Sequence, residues 1–75
     1  MFALTPRQRV AALARFYQER FGMPVPTETV NFVLGQKDSM TERQVHDLLD
    51  AMIKDREIRF VRHDYLANGY EPVAS

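Results

Sequence analysis

At Glu57 the spacing of apolar residues changes from the helical to the extended period, and that switch fixes most of what the chain can become. Before it, Val45, Leu48, Leu49, Met52 and Ile53 fall on one helical stripe. After it, Ile58, Phe60 and Arg62 alternate with Arg59, Val61 and His63, and the β-branched and aromatic content suits a strand. A strand therefore follows a helix almost directly. Asn68-Gly69 is a strong turn dipeptide because both residues tolerate positive φ, and Tyr70-Glu71-Pro72-Val73 can return as a second strand, with Pro72 confining it to a sheet edge. The expected carboxyl-terminal element is a hairpin over 58–73.

Two capping boxes place the helices upstream. Thr41-Glu42-Arg43-Gln44, with Met40 and Val45 at the staple positions, predicts a helix over 41–55 with Asp50 and Lys54 as an outward i, i+4 pair. Leu4-Thr5-Pro6-Arg7-Gln8 predicts another start: Thr5 caps, Pro6 fits the first turn and Gln8 closes the box. Val10, Leu13, Ala14, Tyr17 and Phe21 form its buried stripe and Gly22 ends it, giving a helix over 6–21. Phe16 lies off the stripe and is expected to widen the buried face, the alternative being an exposed partner contact. Met23-Pro24-Val25-Pro26 reads as a stiff connector, since proline disfavours the helical conformation of the residue before it. Thr27 then caps a brief helix over 27–34, with Val30, Val33 and Leu34 as its apolar face, ending at Gly35 and followed by a polar turn from Gly35 to Met40. The expected buried set is Val10, Leu13, Tyr17, Val30, Leu34, Val45, Leu48, Leu49, Met52 and Phe60.

With 75 residues, 45% of them hydrophobic, the chain has material for one folded domain over 1–75 and not for two. It has no cysteine, so neither disulfides nor thiolate metal sites can supplement a small core, and a homodimer or another partner is expected to contribute. Ten basic residues balance ten acidic ones, which gives no global bias towards nucleic acid or anionic membrane. The distribution is uneven: eight of the ten bases are Arg, residues 1–22 carry a local charge of +3, and residues 41–57 carry −2. No apolar run approaches the roughly 20 residues of a membrane span, and no basic stretch leads into an apolar one at the start, so no membrane association and a cytoplasmic location are expected.

Three helices, the last two joined by a short polar turn, followed by a two-stranded hairpin, resemble a winged helix-turn-helix domain. The run Leu48-Leu49-Asp50-Ala51-Met52-Ile53-Lys54-Asp55-Arg56-Glu57-Ile58 is similar to the end of a recognition helix entering its first wing strand, and Asn68-Gly69-Tyr70 resembles the return of the wing. The resemblance implies a mainly α fold with a small β-hairpin, a recognition helix at Thr41–Asp55, a wing at Ile58–Val73, and a small transcriptional regulator that binds double-stranded DNA. Thr41, Arg43, Gln44 and His46 would then face the major groove, where Arg suits guanine and Gln suits adenine. Arg59, Arg62, His63 and Asn68 would reach backbone or minor groove from the wing, and Arg7 or Arg9 would neutralise phosphates.

A second reading stays open, because a scaffold does not dictate its use. Glu42, Asp47 and Asp50 share the outer surface of the third helix and repel phosphates. In that reading the domain is a protein-binding adaptor, or an inhibitor of the short accessory kind found in phages and mobile elements, with an interface built from Phe16, Phe32, Tyr65, Leu66 and Tyr70. An enzyme is not expected, and neither is a cofactor: no nucleophile, base and oxyanion donors assemble, and there is no Gly-rich phosphate loop. His46 and Asp50, at i and i+4, would give two metal ligands at most, and Met23, Met40 and Met52 are explained by packing.

Overall fold

The Thr5 hydroxyl accepts the Gln8 N–H at 3.1 Å while the Gln8 side chain accepts the Thr5 N–H at 2.9 Å, and from this box α1 (Pro6–Phe21) runs as expected. These contacts come from a computed structural model that describes residues 3–62 and 68–73. Gly22 closes α1 in the left-handed conformation, at φ 63°, with its N–H returned to the Gln18 carbonyl.

The Met23–Pro26 stretch is more than a connector. Val25 and Pro26 form β1 (Val25–Pro26), which pairs antiparallel with β3 (Gly69–Pro72); β2 (Ile58–Val61) pairs with the other side of β3, so the sheet order is β1-β3-β2. The two prolines hold the backbone extended, and Pro26 sits on an edge strand where its missing N–H is tolerated. Pro72, expected on an edge, instead belongs to the central strand. It is accommodated because β1 reaches only Gly69 and Tyr70, so at the level of Pro72 the strand has a neighbour, Ile58, on one side only.

α2 (Thr27–Asp38) passes through Gly35 and ends four residues later than expected. A glycine inside a helix costs about 1 kcal/mol, a weak stop that tertiary contacts override. Here Asp38 receives the Arg9 guanidinium at 2.9 Å, and Ser39, at φ 53°, caps the helix with its N–H on the Leu34 carbonyl. Thr27 is the first helical residue and not a side-chain cap; its N–H is taken at 3.1 Å by the Asn68 carbonyl, tying α2 to the sheet. Only Ser39, Met40 and Thr41 separate α2 from α3 (Glu42–Lys54), so the expected long turn is a tight one. α3 starts from its second capping box, and Arg56, at φ 59°, turns the chain into β2.

The core is Val10 and Ala14 of α1, Val25 of β1, Val30 and Leu34 of α2, Val45, Leu49 and Met52 of α3, Ile58 of β2 and Tyr70 of β3. Four members of the expected buried set differ. Leu13, Tyr17 and Leu48 are half-buried at the margins of their stripes. Phe60 is 43% exposed, because α3 turns straight into β2 and covers the start of that strand; Phe60 lies further along it and rests on the Tyr70 ring, centroids 5.5 Å apart. Gly69, expected to serve a turn through positive φ, is instead strand backbone in close approach to β1: a Cβ there would collide with the Val25 carbonyl.

Candidate nucleic-acid interface

The α3 stripe formed by Val45, Leu49 and Met52 faces the core, which leaves Thr41, Glu42, Arg43, Gln44, His46 and Asp47 exposed along the first two turns. Glu42, Arg43, His46, Asp47 and Asp50 line one shallow depression on that face. Arg43 is exposed and forms no ion pair among the described residues. Gln44 is partly committed: its side-chain oxygen accepts the Thr41 N–H at 2.9 Å, so a bidentate contact to adenine would have to break the cap. His46 Nδ1 lies 3.4 Å from Asp50 Oδ2 with both side chains mostly exposed, the expected surface pair. Three carboxylates against Arg43 and Lys54 make the outer face slightly acidic.

The remaining candidate cations are held inside the chain. Arg7 reaches from α1 to both Asp55 and Glu57 at the α3–β2 junction, and hydrogen bonds from Glu57 first and Asp55 second raise its guanidinium pKa further. Arg9 pairs with Asp38 in a partly buried bridge. Arg59 pairs with Glu71, its cross-strand neighbour. Arg7, Arg9 and Arg59 are thus already neutralised locally, whereas Arg62, just past β2, is exposed without an ion pair among the described residues. Asn68 is exposed, with its carbonyl on Thr27. His63, Tyr65 and Leu66 lie outside the described residues.

The aromatic candidates divide in a similar way. Tyr70 is buried at 9% exposure and belongs to the core, so it cannot form an interface; Phe32 is 67% exposed on α2, and Phe16 is 51% exposed on α1 where burial was expected. Sequence reasoning missed Phe21, which has the helical phase of the buried stripe yet is 57% exposed. The available signal was its place directly before the Gly22 cap, where α1 outruns the core. Among the described residues no cluster of three or more His, Asp or Glu is arranged to hold a metal ion. No helix is long and apolar enough to cross a membrane, again among the described residues. Comparison of the chain with family models, curated proteins and solved structures finds no match.

Proposed function

We propose that the chain is a winged-helix domain and a small transcriptional regulator that docks α3 in the major groove of duplex DNA. One observation carries the reading: α2 and α3 are joined by three residues, the usual helix-turn-helix spacing, with the first two turns of α3 exposed on their outer side. The element order α1-β1-α2-α3-β2-β3, with β1 completing a sheet beside the hairpin, supports the same reading. Arg43 is the base-reading residue, and Arg62 contacts the phosphate backbone from the strand that packs beside α3. Arg7, Arg9 and Arg59, engaged with carboxylates, hold the scaffold and add little to DNA affinity.

Fluorescence anisotropy on duplexes selected from a random pool tests this. Arg43→Ala should lose about 1–3 kcal/mol and relax preference at one base pair, whereas Arg62→Ala should weaken all sequences alike. Equal losses for Arg43→Ala and Arg59→Ala would defeat the assignment. The protein-docking reading is favoured by a separate observation, the exposure of Phe16, Phe21 and Phe32 on a surface of near-neutral charge, and gains the case if no duplex is bound.

A further inference from the structure

Three aromatic rings meet at the carboxyl-terminal end of α1. Phe16 lies 6.0 Å from Tyr17 and 5.9 Å from Phe21, and Tyr17 lies 5.2 Å from Phe21, centroid to centroid. Tyr17 packs against the core, yet Phe16 and Phe21 each leave more than half their surface in water despite stacking on one another. Contiguous apolar surface of this kind marks a contact site on a small soluble domain. The charges around it are also distinctive. Arg15, Glu19 and Arg20 are exposed and form no ion pairs among the described residues, whereas Arg7, Arg9 and Arg59 all have carboxylate partners within the chain.

Arg15 and Glu19 stand one helical turn apart on the same flank of Phe16, at equal distances before and after the level of Tyr17. We propose that a second copy of this chain occupies this face, packing α1 antiparallel against α1 with Phe16 and Phe21 at the centre of the contact. In an isologous pair each helix flank meets the same flank of the other copy. A two-fold axis at the level of Tyr17 therefore sets Arg15 against the partner's Glu19, and Glu19 against the partner's Arg15. Opposite charges at symmetric positions are what a self-complementary surface requires; a surface shaped for an unrelated partner carries no such constraint. Arg20, on the other flank, can lay its guanidinium over an aromatic face.

The dimer is weak. Half of a ring that buries 150–250 Å² when covered is about 100 Å². The exposed rings thus supply about 400 Å² across the pair, a third or less of the 1,200–2,000 Å² of a stable interface. The rest must come from side-chain stems along a helix about 24 Å long. A dissociation constant on the order of 10–100 µM follows. The proposal does not depend on DNA binding, so the two can fail separately.

Sedimentation equilibrium on the full chain, from about 10 µM to about 1 mM, tests it. The apparent mass should rise from 8.7 kDa towards twice that value. Phe16→Glu should weaken association at least about tenfold with an unchanged thermal midpoint, since the ring lies outside the core. Glu19→Arg should weaken it severalfold by setting Arg15 against an arginine, and the double swap Arg15→Glu with Glu19→Arg should restore it. A monomer throughout the range, a dimer indifferent to Phe16→Glu, or a double swap that fails to rescue would each overturn the proposal.

Discussion

Gly69→Ala isolates the strand pairing that ties the two halves of the chain together. A Cβ at Gly69 would meet the Val25 carbonyl carbon at 2.9 Å and its oxygen closer still, with the Pro24 side chain at 3.0 Å. The first two are backbone atoms, so no rotamer change relieves the clash and β1 has to move away from β3. That movement strains the Val25–Tyr70 and Pro26–Gly69 pairings and the Thr27 to Asn68 hydrogen bond, and lets water reach Val25, now fully buried. Each lost hydrogen bond costs about 0.5–1.5 kcal/mol and exposing a valine about 1.5 kcal/mol or more, so a loss of about 2–4 kcal/mol is expected. For a domain of this size that lowers the thermal midpoint by roughly 10–25 °C, a large part of a stability that is small to begin with. Thermal and urea melts followed by circular dichroism measure it. A change below about 0.5 kcal/mol, the size of an ordinary surface substitution, would refute the close approach of β1 and β3.

Gly35→Ala should act in the opposite direction, stabilising by about 0.5–1 kcal/mol in the same melts, because Gly35 is interior to α2 and a Cβ there meets only the Met40 carbonyl at 3.8 Å; destabilisation would mean that α2 ends at Leu34. Leu34→Ala should cost about 2–5 kcal/mol in urea unfolding, and Leu48→Ala less than about half of that, since Leu34 is fully buried and Leu48 half-buried. Burial, and secondarily the Asp50 carboxylate, pushes the Tyr70 phenol above its ordinary pKa. The unfolded phenol then loses its proton first, so this contribution is intact below about pH 10 and declines as pH rises towards the folded value. Melting midpoints measured against alkaline pH should fall less steeply in Tyr70→Phe than in the parent chain.

The elements legible in the sequence are those whose signals are local. Both capping boxes lie within four residues, and α1 and α3 begin where Thr5 and Thr41 place them. The paired strands β2 and β3 follow from the change of period at Glu57 and the Asn68-Gly69 dipeptide. β1 was not legible, because two residues between prolines become a strand only when β3 arrives from the far end of the chain. The end of α2 was misplaced for a related reason: Gly35 is a local stop signal, and it is overridden by Asp38, whose partner Arg9 is 29 residues away. The candidate site was limited in the same way. Arg7, Arg9 and Arg59 look like available cations in the sequence, and only the folded chain brings Asp55, Glu57, Asp38 and Glu71 to them. The aromatic stripe of α1 misled at its end, where helical phase alone puts Phe21 inside although the core stops short of it.

The proposed docking of α3 on duplex DNA is tested most directly by the salt dependence of binding. Among the described residues Arg43, Arg56 and Arg62 are the cations of α3, the junction and the hairpin that lack a carboxylate partner and carry arginine geometry. Each phosphate neutralised contributes about −0.9 to the slope of log K against log salt, so two or three contacts give a shallow slope of about −2 to −3. Arg62→Ala should reduce its magnitude by about one. Titration of the folded protein with labelled duplex at low salt should return that slope. A slope steeper than about −5 would mean that Arg7, Arg9 and Arg59 leave their carboxylates for phosphates, and no binding even at about 10 mM salt would contradict the DNA reading itself.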